Sequence, residues 1–355
     1  MRTGIFYHEK FLEHKPNYNH PENPMRLNYI IEKYHASVDD KIKKNHDWIT
    51  PTSVSEEIIL LVHPKGHIER VKKLSEVGGG FMDDGETYIS SGTYEAAMLA
   101  VGACINAIKM ILDGKISNAF ALVRPPGHHA SHEISEGFCI FNNIAIAAKY
   151  LIEIRKLKRV VIVDIDAHHG NGTQDIFYCD PNVLYIGFHQ DPRTLYPGTG
   201  FPTEVGEGEG KGFTVNIPMP PTATDKHYLM AFNEIVFPIV LQFSPDFVLV
   251  SAGFDAHFYD PLTNLRLTSQ GYGKIAKKIK ELSIKSAHGR LLYVLEGGYH
   301  PNGLSNSAVN SITVMSDDII PLKDTFPIKH SEHVDSYVKR LIRNIKNIHK
   351  KYWNF

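Results

Sequence analysis

Cysteine is scarce in this chain, and neither sign of charge prevails. The three cysteines, Cys104, Cys139 and Cys179, include no Cys-x-x-Cys pair, and their odd number argues against a disulfide framework. A reducing, cytoplasmic setting is therefore expected. Lysine and arginine total 38 against 39 aspartate and glutamate, so no overall field draws the chain to nucleic acid or to an acidic partner. No apolar run approaches a membrane span, and the opening MRTGIFYHEKF lacks the apolar core of a signal peptide. Internal repeats and low-complexity linkers are missing too, so the 355 residues are read as one domain, 1–355, with ample core. Histidine, by contrast, is plentiful at 20 residues, which directs attention to imidazole chemistry.

Short β-branched runs alternate with longer stretches of helical period. The runs are GIFY near the start, FALV (120–123), VVIV (160–163), VLYI (183–186), FVLV (247–250) and LLYVL (291–295). Between them lie amphipathic segments such as 93–112 and 271–286. Continuous apolar strands separated by helices predict an α/β fold, with a mostly parallel central sheet of about eight strands covered on both faces. VGEGEGKG (205–212) looks like a phosphate loop, but its glutamates would repel phosphate and no helix follows at once. The basic segment YVKRLIRNIKNIHKKYWNF places Val338, Leu341, Ile342, Ile345 and Ile348 at helical spacing. It predicts a C-terminal helix over about 334–352 packed on the body, with partner or nucleic-acid binding as the lesser alternative.

In open α/β sheets ligands bind beyond the carboxyl ends of the strands. FALV leads into RPPGHHA, where two prolines and a glycine stiffen and turn the backbone ahead of His128 and His129. Two histidines on a Pro-rich surface turn would be the ordinary explanation. The other strand ends tell against it: VVIV leads to DIDAHHGNG, VLYI to GFHQDP, FVLV to SAGFDAH and LLYVL to EGGYH. Alternation puts Asp164, Asp166 and His168 on one side of an extended chain. An Asp-x-His pair joined by a carboxylate from another strand end, Asp255, offers three metal ligands and leaves a position open, as catalytic sites do.

RPPGHHA, GFCIFNNIAIAA, VDIDAHHGNGTQ, HQDPRTLYPGTG, SAGFDAH and LEGGY together resemble the zinc-dependent deacetylase family, which contains the histone deacetylases, the acetoin-utilisation proteins and the acetylpolyamine amidohydrolases. The resemblance runs from NHPENPMRL (19–27) to Tyr299 and is nearest the class II-like and microbial members. It implies an arginase/deacetylase-like fold, one catalytic Zn2+ on Asp166, His168 and Asp255, a His128–His129 pair with Asp164 behind His128, and Tyr299 as the transition-state tyrosine. Asn171 falls where class I members carry an aspartate behind the second histidine, and class II-like members carry this asparagine; an amide there would leave the imidazole less firmly protonated. The resemblance also implies a narrow tunnel walled by Phe138 and Tyr196, with Gly137 beside them and Leu262 at the rim. Glu86 is the expected rim acid, with Asp83 and Asp84 as competitors. Arg26 matches an arginine behind the site, with a structural salt bridge as an equal reading. Carbonyls around Asp164, Asp166, His168, Gly187 and Phe188 would hold a potassium ion.

The expected reaction is hydrolysis of an N-acetyl amide. It needs a Lewis acid for the water and the carbonyl, an oxyanion donor (Tyr299), and a group that takes and returns a proton (His129), with His128 acting through its charge. Acetylated lysine side chains and acetylated small amines both fit a straight tunnel, so an acetylpolyamine amidohydrolase is the alternative. A non-catalytic acetyl-lysine binder is disfavoured by Tyr299. A binuclear arginase-like site would need acids where Gly170 and His257 stand.

Overall fold

The structure, a computed structural model, describes residues 1–325 and 331–355. Its strands are β1 (Thr3–Phe6), β2 (His46–Ile49), β3 (Gly79–Phe81), β4 (Tyr88–Ser90), β5 (Asn118–Ala121), β6 (Val160–Asp164), β7 (Val183–Gln190), β8 (Thr214–Met219), β9 (Phe247–Ala252) and β10 (Leu291–Leu295). Eight form one sheet in the order β2-β1-β5-β10-β9-β6-β7-β8, with every pairing parallel. β3 and β4 form a separate antiparallel hairpin. Strands β5, β6, β9 and β10 are buried along their whole length. That is why they read as unbroken apolar runs.

Helices cover the sheet as expected. Helix Thr93–Leu112 packs on β5 and against helix Asn143–Lys149, while helices Met25–Ser37 and Ser269–Ser286 each pack on helix Pro301–Asp317. By length and composition Thr93–Leu112 could cross a membrane, contrary to the expectation that no run would qualify. Here it is a core helix, with Ala96, Ala100, Ala103, Ala107 and Ile108 wholly covered. Its small residues allow close approach to the sheet.

Of the eight strands in the main sheet, the two absent from the sequence reading are its two edges. β2 (HDWI) is polar, and β8 (TVNIPM) carries Asn216 and Pro218. Proline belongs at an edge because it donates nothing to a neighbour. Helix Glu332–His349 packs along β8 and covers that edge. It buries Val338, Leu341, Ile342 and Ile345, but Ile348 is only half-buried and His349 takes the inward place. Trp353 then donates its indole N–H to the Gly212 carbonyl at 2.9 Å.

Strand β7 runs four residues past VLYI, to Gln190. His189 is therefore inside the strand, its Nε2 on the Gly200 carbonyl at 2.8 Å, and not at the functional rim as GFHQDP suggested. The remaining ends, after β5, β6, β9 and β10, are neighbours in the sheet and meet at one rim.

Candidate active site

Strand β6 stops at Asp164, and the chain turns over the sheet through residues 165–170. Backbone amides fix the acids of this turn. Asp166 accepts from the His168 and Gly297 N–H groups at 2.8 Å each, and Asp255 from Ala167 at 2.7 Å. His168 Nδ1 lies 3.2 Å from Asp166 Oδ1 and 3.0 Å from Asp255 Oδ2. Asp166, His168 and Asp255 thus present one donor atom each within 4.8 Å of one another.

The donor set tests whether a cation fits. Both carboxyls are fully buried by neighbouring groups. Burial, reinforced by the Asp166 charge, pushes Asp255 up to about 7. Against burial, Asp166 and Asp255 push His168 up to about 10. Two dry carboxylates facing one imidazole call for positive charge, and a divalent ion supplies it. Glycine makes the room: a Cβ on Gly297 would stand 2.3 Å from Asp255 Oδ2. A second buried group, His128, Cys139 and Glu296, also has donors within 4.8 Å. Glu296 is engaged there with the Gly127 and His128 N–H groups at 2.7 and 3.2 Å, holding the histidine turn.

The two histidines lie side by side, ring centroids 4.1 Å apart, and are pushed in opposite directions. Burial opposes charge on His128, but Asp164 at 3.0 Å and Asp166 overcome it and raise the ring to about 10. Burial, then the neighbouring His128 and His168, hold His129 well below the usual imidazole range. His129 Nδ1 lies 2.7 Å from Asn171 Oδ1. One imidazole is thus kept charged and its neighbour neutral.

A cavity of about 520 Å³ opens above these groups, lined by Asp84, Glu86, His129, Gly137, Phe138, His168, Leu195, Tyr196, Leu262 and Tyr299. A depression of about 650 Å³ beside Leu157 and Trp353 holds neither a carboxylate nor an imidazole. The Phe138 and Tyr299 rings meet edge-on at 6.1 Å. Tyr299 stands on a braced loop: its N–H donates to Asp260 at 2.8 Å, and Arg26 donates to the Gly298 and Glu296 carbonyls at 2.7 and 2.5 Å. Arg26 also pairs with Glu22 at 3.0 Å, so both readings of this arginine meet in one residue. Glu22 is shared with Arg124. Burial resists its ionisation, yet Arg124 and His14 hold its carboxyl well below the usual range.

The β3–β4 turn separates the three rim acids. Asp83 pairs with Arg70 at 2.8 Å and accepts from the Ser135 N–H. Asp84 accepts from the N–H groups of Glu86, Thr87 and Gly137. Glu86 is exposed at the mouth. At the arginase-type positions, His257 is buried against Ser269 and Asp324, at 3.1 and 3.2 Å, and Gly170 leaves space for Asp164. Of the residues around the cavity, Glu296, Asp260 and Glu136 escaped the sequence reading, because each acts through a neighbour distant in sequence.

Buried acids and an imidazole gathered at neighbouring strand ends, beneath a cavity, define an α/β protein with its ligand site beyond the carboxyl ends of a parallel sheet. Known proteins narrow the class. Residues 20–315 match the histone deacetylase domain. A probable deacetylase of Archaeoglobus fulgidus is 40% identical over 363 residues, 99% of each chain. Histone deacetylase HDA1 of Candida albicans is 34% identical over 97% of this chain, which spans 44% of that protein. The crystal structure of the HDA15 HD domain superposes with a TM-score of 0.88 at 34% identity, covering 99% of this chain and 95% of that one. The chain belongs to the histone deacetylase family, a family of hydrolases.

Proposed function

We propose that this chain is a zinc-dependent deacetylase that removes acetyl groups from lysine side chains of proteins or peptides. The observation that carries the reading is the convergence of Asp166, His168 and Asp255 at the floor of a cavity whose lining includes His129, His168 and Tyr299. Zinc held by those three residues would lower the pKa of a water and polarise an acyl carbonyl.

The chain's own groups account for the rest. His129, kept neutral with Nδ1 engaged by Asn171, has its Nε2 lone pair available to take a proton from the attacking water. The same nitrogen returns that proton to the departing amine. His128, charged and held to Asp164, stabilises negative charge growing beside it. Tyr299 keeps its phenol protonated, burial raising it well above the usual range, so it can donate to the oxyanion. Phe138 and Tyr196 flank the aliphatic stem and exclude branched chains. A potassium ion would be held by the carbonyls of Asp164, Asp166, His168, Gly187 and Phe188; Asp164 and Gly187 are register partners across β6 and β7.

The mouth favours lysine over a free polyamine. Leu262 and Tyr196 are exposed there, giving an apolar shelf on which a peptide can lie. The test compares acetyl-lysine peptides with acetylated putrescine and spermidine, using chelated protein and protein reloaded with zinc. Peptide turnover lost on chelation and regained with zinc supports the reading. A higher kcat/KM on the acetylpolyamines would replace it with the small-amine alternative, and turnover indifferent to chelation would end it.

A further inference from the structure

His129 is held by an amide, and an amide can face an imidazole with either end. Its oxygen accepts a hydrogen bond from a protonated Nδ1; its NH2 donates one to an unprotonated Nδ1. The two orientations demand opposite tautomers of the ring, and only the first leaves Nε2 free to accept a proton. Asn171 alone does not distinguish them. Something else must.

We propose that Glu136 makes this choice: it is a positioning residue that acts through Asn171 to set the tautomer of His129. The inference deepens the hydrolytic reading above and rests on it for its kinetic arm. Glu136 Oε1 lies 2.5 Å from Asn171 Nδ2, and Asn171 Oδ1 lies 2.7 Å from His129 Nδ1. A carboxylate can only accept. Glu136 therefore holds the NH2 of Asn171 toward itself and turns the carbonyl oxygen onto the ring. His129 must then carry its proton on Nδ1.

The backbone reinforces the arrangement. Glu136 immediately precedes Gly137, whose left-handed conformation (φ 57°) brings the chain against the imidazole; a Cβ at Gly137 would stand 2.4 Å from His129 Cδ2. One short segment thus touches the face of the ring and fixes the partner of its far nitrogen. Glu136 is half-buried, which leaves its hydrogen bond to Asn171 partly shielded from competing water. Ser135, on its other side, is tied to the Asp83 carboxylate through its N–H and to the Ile140 carbonyl through its hydroxyl, both at 2.9 Å, so the segment is anchored independently of Glu136.

Glu136→Gln tests the idea, because glutamine keeps the shape but can donate to Asn171 Oδ1 and so permits the flipped amide. In protein labelled with 15N-histidine, the His129 resonances (assigned by their loss in His129→Gln) should show Nδ1–H in the native chain. In Glu136→Gln they should show the Nε2–H form or a mixture. A wrong tautomer costs a serine protease about 10⁴ in kcat, and a partial shift here should cost about tenfold to a hundredfold, with KM and zinc content nearly unchanged. Adding Asn171→Asp to Glu136→Gln restores an acceptor that cannot flip, so kcat should recover most of that loss. An unchanged tautomer in Glu136→Gln, or a kcat loss that the double variant does not recover, overturns the proposal. Should the native chain hydrolyse no acyl amine, the hydrolytic reading fails and the tautomer measurement still decides the role of Glu136.

Discussion

Replacing one hydrogen by a methyl at Gly137 should disable the enzyme while leaving the proposed metal site intact. The position has a positive φ of 57°, which costs a non-glycine residue about 1–2 kcal/mol. The larger effect is steric. The new Cβ would lie 2.4 Å from His129 Cδ2 and 2.7 Å from Cγ, whereas ordinary contact begins at 3.4 Å. Ring and loop must therefore part by about 1 Å, the difference between 3.4 and 2.4 Å. Asn171 and the adjacent His128 ring stand beside His129, so part of the movement falls on the proton-transfer geometry. A misplacement of about 1 Å at a reacting group is worth about a hundredfold in rate. Gly137→Ala should thus lower kcat on an acetyl-lysine peptide by about a hundredfold, and raise KM because the methyl also narrows the cavity. Zinc content by mass spectrometry should stay stoichiometric, and the thermal midpoint should fall only by the few degrees that the backbone strain implies. A kcat within about threefold of the native value, roughly the scatter of such assays, would show that His129 is not held against this backbone as described.

Asp166→Ala, His168→Ala and Asp255→Ala should each lower bound zinc and abolish turnover; full metal content in any one removes that residue from the set. Tyr299→Phe should retain metal and fold but lose about a hundredfold in kcat, the usual cost of one oxyanion donor. An unchanged kcat would refute that role. His129→Ala should lose more turnover than His128→Ala on a natural acetyl-lysine peptide, with the gap closing on an activated anilide, whose leaving amine depends less on a proton. Equal losses on both substrates would reverse the two roles. Stability should fall on acidification: burial pushes His14, His46, His189 and His349 from 6.5 down to about 4. Above the unfolded value both states are neutral. Below it the unfolded chain binds protons that the fold refuses, so the thermal midpoint should drop as pH falls toward the folded values. His349 has no hydrogen-bond partner on either ring nitrogen among the described residues. His349→Leu should therefore raise the midpoint at about pH 5 and flatten the slope; no change in slope would place its protonation elsewhere.

Much of the architecture was written in local pattern. The six inner strands of the sheet are those whose apolar runs stand out, because burial on both faces favours apolar side chains over most of their length. The two edges escaped because an edge tolerates what a central strand rejects, as Asn216 and Pro218 in β8 show. The long helices were legible for a similar reason: Thr93–Leu112 coincides with its predicted span, since its pattern is governed by contacts within one segment. The end of the C-terminal helix was less legible. Spacing alone placed Ile348 inward, but the surface it meets accepts His349 instead.

At the site, the amino-acid sequence determined the chemical types and their order along the chain: Asp-x-Asp-x-His after one strand, paired histidines after another, an aspartate and a tyrosine after two more. Strand ends of a parallel sheet share a rim, so those residues could be placed near one another without coordinates. Tertiary structure decided everything that depends on distances between segments far apart in sequence. It committed Asp83 to Arg70 and Asp84 to loop amides, while Glu86 stays exposed at the mouth that Asp84 also lines. It made Arg26 both an ion-pair partner and a clamp on the Tyr299 loop. It withdrew His189 from the rim because β7 continues through it. It also brought Glu136 to Asn171 across 35 residues. The physical reason is common to all four: a side chain's charge and tautomer are set by whatever packs within a few ångströms of it, and local sequence pattern carries no record of that neighbour.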